Sequence, residues 1–191
     1  MSGPIRAFIA VSLPEPIRDT LRQIQENLAA EDADVRWVRP EQIHLTLKFL
    51  GDIDLSQVPG IISHLDAGLG KMAAFSVQAS GGGVFPNARK ARVLWVGLED
   101  KTDGFKTLYG ATETAMAAMG FARESRAFRP HLTLGRPRRD IHPAVMDRML
   151  AVLQTAGSDP FEVDRIFLYQ SRLHPSGPRY TVLHTVCLGA T

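Results

Sequence analysis

Apolar and polar positions along this chain follow two periods, one of about two residues and one of about 3.6, and the switches between them lay out its elements. The apolar run over residues 5–13 predicts a buried strand, after which Pro14 and Pro16 open a helix with Ile17, Leu21, Ile24 and Leu28 on one face. A short strand over 35–38 is stopped by Pro40, and another runs over 43–50 to Gly51. A helix carrying Val58, Ile61, Ile62, Leu65 and Leu69 closes at Gly70. The strand over 75–79 leads into Gly81-Gly82-Gly83, which reads as a flexible loop before Phe85-Pro86. The order then recurs. A strand over 92–98 precedes a helix with Phe105, Leu108, Thr112, Ala115 and Met119 on one side and Gly120 as its stop. A strand follows Pro130, a helix bearing Val145, Met149 and Val152 runs to Ala156, and strands over 161–173 and 179–188 flank the turn His174-Pro175-Ser176-Gly177-Pro178.

One tetrapeptide marks this recurrence. His44-Leu45-Thr46-Leu47 returns unchanged as His131-Leu132-Thr133-Leu134, 87 residues later. The flanks keep step: His44 lies 35 residues after Ile9 and His131 lies 37 after Leu94, while Phe75 and Phe161 follow the two histidines by 31 and 30 residues. One β-α-β-α-β unit is therefore used twice, over roughly 5–85 and 91–188. Alternation of strands with helices suggests α/β, but short strands with internal symmetry also admit an antiparallel α+β solution. On a strand the histidine and threonine of each copy share one face and the leucines the other. Two such strands facing one cleft supply paired imidazoles and paired hydroxyls, a set suited to acid/base work on a phosphoryl group.

Composition changes this picture little. The 191 residues make a single domain of two lobes, 45% hydrophobic and 22% charged. No apolar run is long enough to span a membrane, Met1 to Arg6 lack a signal-peptide core, and Cys187 is the sole cysteine, so a cytoplasmic monomer without disulfides or a Cys-rich zinc module is expected. Net charge is only +2. Its distribution is uneven: Arg123, Arg126, Arg129, Arg136, Arg138 and Arg139 stand against the single acid Glu124 around the second motif, and Arg89, Lys90 and Arg92 form a smaller cluster. A run like that is often plain solvated surface, but beside a candidate catalytic strand it also draws in a phosphate-rich substrate. Other chemistries lack their signatures: Gly68-Leu69-Gly70-Lys71 continues to Met72 without P-loop spacing, and neither HExxH nor GxSxG occurs.

His-Leu-Thr-Leu-Lys-Phe-Leu-Gly at 44–51 and Arg-Pro-His-Leu-Thr-Leu-Gly-Arg at 129–136 resemble the two signature segments of the two-histidine phosphoesterase superfamily. Within it, the chain is most similar to the LigT-like RNA 2',3'-cyclic phosphodiesterases, also called 2'-5' RNA ligases. Arg36-Trp37-Val38, Val93-Leu94-Trp95-Val96-Gly97 and Tyr169-Gln170-Ser171-Arg172-Leu173 extend the likeness over nearly the whole chain. The resemblance implies a bilobal α+β fold whose antiparallel sheets enclose a barrel-like cleft with helices outside. It also implies an RNA or nucleotide end bearing a 2',3'-cyclic phosphate as substrate, no metal and no other cofactor, and hydrolysis to a 2'-phosphate with reversible 2'-5' ligation. By the same likeness His44 is the general acid and His131 the general base.

The side-chain chemistry supports those roles on its own terms. Displacement at phosphorus needs an acid and a base on opposite sides, and imidazole serves as either near neutrality. Thr46 and Thr133 can donate to non-bridging oxygens, and Arg136 can stabilise developing charge. Arg136 is an odd number of residues from His131, so it points away unless the strand bends near Gly135. Phe8, Trp37, Phe85, Trp95 and Tyr180 offer rings to a base, although aromatic residues on strands usually belong to the core. His64, His142, His174 and His184 lack repeat partners and read as surface or structural residues. Two other outcomes stay open: a relative acting on cyclic ADP-ribose phosphate or 2'-5' oligoadenylate, and an RNA-end binding module without chemistry.

Overall fold

The computed structural model describes residues 3–175 and 177–189, so Met1, Ser2 and Ser176 of the expected turn lie outside the described residues. Among the described residues, nine strands and four α-helices follow in the order β1 (Ile5–Ser12), α1 (Glu15–Ala29), β2 (Val35–Trp37), β3 (His44–Ile53), α2 (Val58–Leu69), β4 (Phe75–Phe85), β5 (Val93–Asp100), α3 (Gly104–Ala118), β6 (His131–Pro137), α4 (Pro143–Gln154), β7 (Phe161–Val163), β8 (Arg165–Arg172) and β9 (Arg179–Cys187). Every strand pairing is antiparallel, in two sheets ordered β3-β1-β8-β9 and β2-β6-β5-β4-β7. The fold is therefore α+β, as the resemblance implied, and not the parallel α/β that simple alternation suggests.

The sheets do not follow the sequence repeats. β1 and β3 of the first repeat pair with β8 and β9 of the second, while β2 and β4 of the first flank β5, β6 and β7 of the second. Each repeat thus contributes strands to both sheets. The two motif strands, β3 and β6, touch where the sheets meet.

The helices form as their spacing predicts. α1 starts at an extended Pro14 with Pro16 in its first turn, and Ile17, Leu21, Ile24 and Leu28 are all buried. In α3 the buried stripe is Phe105, Leu108, Thr112, Ala115 and Met116, with Met119 just past the helix end. In α4 it is Met146, Met149 and Leu153, leaving the predicted Val145 and Val152 at the margin.

Three expectations need correction. The glycine triplet is no loop: β4 runs through it to Phe85, with one extra residue opposite β5 between Ala79 and Gly82. Glycine is required here by close approach, because a Cβ at Gly82 would sit 2.5 Å from the Trp95 carbonyl oxygen and one at Gly83 would sit 3.0 Å from the Trp95 ring. The expected strand over 161–173 is two strands, broken at Asp164, that belong to different sheets. Gly51, at φ +73°, does not end β3, which continues to Ile53 opposite Ile5.

Two substitutions separate these uses of glycine. Gly82→Ala forces the β4 and β5 backbones apart and is expected to cost about 1–3 kcal/mol. Gly110→Ala meets nothing within 4 Å on the face of α3 and is expected to stabilise by about 0.5–1 kcal/mol. Chemical denaturation of both variants checks the opposite signs.

Candidate active site

Both motif strands carry the same irregularity at the same place. Opposite β1, Ala10 pairs with Thr46 and Ile9 with Lys48, which leaves Leu47 unmatched. Opposite β5, Trp95 pairs with Thr133 and Leu94 with Gly135, which leaves Leu134 unmatched. Each is a β-bulge one residue after the motif threonine. Before it, the two-residue alternation holds, with Leu45 and Leu132 buried and the histidines and threonines partly exposed. At the bulge two successive residues turn inward, Leu47 with Lys48 and Leu134 with Gly135. The next residues, Phe49 and Arg136, therefore emerge on the histidine face.

This settles the parity of Arg136. Burial pushes the Tyr180 hydroxyl up and the Arg136 charge opposes that shift, and Tyr180 lies edge-on to His44 with ring centroids 5.3 Å apart. A side chain of the second motif strand thus reaches the surroundings of the first histidine. Glycine suits position 135 because Val35 and Trp37 of β2 cover it: an added Cβ would lie 2.6 Å from Val35 Cγ1 and 2.8 Å from Trp37 Cε3.

The bulges are held by a crossed pair of polar ties. Gln25 of α1, buried, donates from its amide nitrogen to the Val38 and Leu134 carbonyl oxygens at 2.7 and 2.8 Å, so the first repeat's helix fixes the second repeat's bulge. Glu113 of α3 stands 88 residues further on, at the matching helix position, and binds Lys48 Nζ at 2.6 Å beside the first repeat's bulge. Lys48 also donates to the Ala122 carbonyl at 2.9 Å, and the second Glu113 oxygen accepts from the Glu124 backbone N–H at 3.0 Å. Removing either member of this buried pair would leave the other uncompensated, at a cost of about 3–5 kcal/mol. Gln25, Lys48 and Glu113 had no sequence signal beyond a polar residue on an apolar helix face or strand.

The two imidazoles are presented identically. His44 Nδ1 lies 2.7 Å from the Gln42 carbonyl oxygen, and His131 Nδ1 lies 2.7 Å from the Arg129 carbonyl oxygen. A carbonyl only accepts, so Nδ1 carries the proton in each ring and Nε2 is left to exchange a proton with a ligand. Gln42 also donates its side-chain amide to the Pro178 carbonyl at 2.5 Å, tying the anchor of His44 to the segment that carries Tyr180. His44 stacks on Phe8 at 4.9 Å, and Phe8 stacks in turn on Tyr169 at 5.2 Å. Burial against these rings pulls the His44 pKa below its ordinary 6.5, the hydrogen bond to Gln42 opposing the shift. On the other side Phe85 meets His131 edge-on at 5.2 Å and stacks on Trp95 at 4.9 Å.

The hydroxyls of Thr46 and Thr133 have no hydrogen-bond partner among the described residues, whereas those of the helical Thr20, Thr107, Thr112 and Thr155 all donate to carbonyl oxygens. Arg138 and Arg139 are bound to Asp34, which removes them from the basic run, while Arg126, Arg129 and Arg136 pair with no carboxylate among the described residues. Phe8 is buried beneath His44 and is not free to receive a base. Phe49, which the sequence reading passed over, is 70% exposed on this face. Its signal was the repeat itself, since Phe49 stands where Arg136 stands in the second copy. His64 and His184 are structural, bonded to the Gly60 carbonyl and to Asp66.

This chain belongs to the LigT like phosphoesterase family, whose model matches residues 11–95 and again 96–180, one match per repeat. It is 36% identical to the RNA 2',3'-cyclic phosphodiesterase of Methanothermobacter thermautotrophicus, over 93% of this chain and 95% of that one. To the RNA 2',3'-cyclic phosphodiesterase of Thermotoga maritima it is 34% identical, over 94% of each chain. Among solved structures, Escherichia coli LigT in its apo form superposes with a TM-score of 0.79 at 25% identity, over 98% of this chain and 99% of that one. LigT has also been solved with NADP+ and with ATP.

The site electrostatics give a measurable expectation. His44 should titrate below pH 6.5 in the free protein, and a bound phosphate, by favouring the imidazolium, should raise that midpoint. An NMR titration of the His44 ring with and without inorganic phosphate checks both; a free midpoint at or above 6.5 would contradict the burial argument.

Proposed function

We propose that this chain is an RNA 2',3'-cyclic phosphodiesterase that opens the cyclic phosphate to a 2'-phosphate with His44 as general acid and His131 as general base. The observation that carries this reading is the matched pair of imidazoles. Each has its Nδ1 proton committed to a carbonyl two residues upstream, leaving Nε2 for chemistry.

His131 Nε2 takes a proton from water, and the water oxygen bonds to phosphorus in line with the departing 3' oxygen. The phosphorus–O3' bond breaks, and His44 Nε2 supplies the proton that makes the 3'-hydroxyl. The phosphate stays on the 2' oxygen. Burial keeps His44 neutral in the free site, so the anionic substrate itself promotes the protonated form that an acid requires. The free hydroxyls of Thr46 and Thr133 donate to the non-bridging oxygens, and the Arg136 guanidinium balances the added charge. A 5'-hydroxyl in place of water yields a 2'-5' linkage by the same proton transfers, which is the ligase direction. No step calls on a metal or another cofactor. Both imidazoles and both hydroxyls are intact, which favours an enzyme over a simple binder of RNA ends.

Hydrolysis of a 2',3'-cyclic nucleotide in EDTA tests this. Turnover is expected in the unaltered protein, to fall by at least about 100-fold in His44→Ala and in His131→Ala separately, and to follow a bell-shaped pH profile. Full activity in either variant, or a flat profile between about pH 5 and 9, would remove the acid/base pair.

A further inference from the structure

The register between β2 and β6 places Arg36 directly opposite Arg136. Residues directly opposite in an antiparallel pair share a face, with their strands about 4.8 Å apart. Val35 and Trp37 turn inward over Gly135, so Arg36 and Arg136 both stand on the outer face, and both are exposed. The bulge has already put that face in line with His131 and Thr133. Neither guanidinium pairs with a carboxylate among the described residues. Nearby arginines are treated differently: Arg138 and Arg139 are bound by Asp34, and Arg92 by Asp140. Two like charges held opposite each other on neighbouring strands repel, so the pair costs the free protein stability and gains from an anion placed between or beside them.

We infer that Arg36 binds a second phosphate of the substrate, the phosphodiester that joins the terminal, cyclic-phosphate-bearing nucleoside to the rest of an RNA chain. This rests on the reading above, in which Arg136 serves the cyclic phosphate. Arg136 emerges immediately after the bulge, on the same strand as His131 and Thr133, and its charge reaches Tyr180 beside His44. Arg36 lies one strand further from His131, across β6 and away from β5. A single cyclic phosphate gripped by two imidazoles, two hydroxyls and Arg136 has no oxygen that needs a second guanidinium. A chain phosphate one nucleotide away does. The pair therefore distinguishes a polynucleotide end, with two phosphates to bind, from a nucleoside 2',3'-cyclic phosphate, which has one.

The test compares kcat and KM for a nucleoside 2',3'-cyclic phosphate and for a dinucleotide ending in the same cyclic phosphate. Arg36→Ala is expected to lower kcat/KM about tenfold for the dinucleotide, through KM, and to leave the cyclic nucleoside within twofold, whereas Arg136→Ala lowers both. The slope of log kcat/KM against log salt for the dinucleotide should become shallower by about one charge in Arg36→Ala. Arg36→Lys, which keeps the charge, should recover most of the loss. An equal loss on both substrates, or no loss on either, would overturn the assignment of Arg36. If the unaltered protein turned over neither substrate, the catalytic reading would fail instead. Arg36 would then be judged by equilibrium binding of a dinucleotide ending in a 2'-phosphate: weaker binding in Arg36→Ala at low salt, and not of the matching mononucleotide, supports the second-phosphate site, and unchanged binding of both overturns it.

Discussion

The extra residue that follows the motif threonine in each of β3 and β6 governs this candidate site. In a regular strand, His131 and Thr133 share a face and Arg136 lies on the other; with Leu134 unmatched by β5, all three come to one side. The same insertion at Leu47 brings Phe49 to the face of His44 and Thr46. Bulges re-aim side chains at the expense of local ladder hydrogen bonds, so they persist where something else satisfies the backbone. Here that is Gln25, whose two amide hydrogens meet the carbonyls of Val38 and Leu134. In the other copy, the inward residue next to the bulge is Lys48, neutralised by Glu113. The two helices act crosswise, each securing the motif strand that belongs to the other repeat, and this matches the exchange of strands between the sheets.

Duplication produced a scaffold with near symmetry and a candidate site without it. The paired features are an imidazole with its Nδ1 proton committed and, two residues on, a hydroxyl with no hydrogen-bond partner among the described residues. The unpaired ones give the site a direction. One copy has Arg136 after its bulge and the other has Phe49, so charge gathers on the β6 side and apolar surface on the β3 side. Environment differentiates the histidines as well. His44 lies on a stack of Phe8 and Tyr169 that depresses its pKa, whereas His131 meets Phe85 edge-on. One chemical group used twice thereby meets two different surroundings.

Much of this was legible in the sequence because it rests on periodicity. The helices, the strand character of the HLTL segments, the inward leucines and the four candidate site residues His44, Thr46, His131 and Thr133 all follow from patterns of 3.6, 2 and 87. What escaped was set by contacts between distant segments. The glycine triplet reads as a loop from composition, yet it is a strand because the Trp95 ring and carbonyl press on it. The strand over 161–173 reads as continuous because no apolar or glycine signal marks Asp164, where the chain passes from one sheet to the other. Arg136 posed a parity problem that only a bulge could resolve, and a bulge leaves no trace in composition beyond Gly135. Arg36 was visible merely as part of a family segment; its significance came from the register that set it opposite Arg136.

In the proposed reaction the two Nε2 atoms address opposite sides of one phosphorus. A crystal structure of this protein with a nucleoside vanadate, a mimic of the five-coordinate transition state, tests it most directly. The expected structure has His44 Nε2 and His131 Nε2 within hydrogen-bond distance of the two apical oxygens, with the hydroxyls of Thr46 and Thr133 on equatorial oxygens. Vanadate held by one imidazole alone, or by both from the same side, would contradict it.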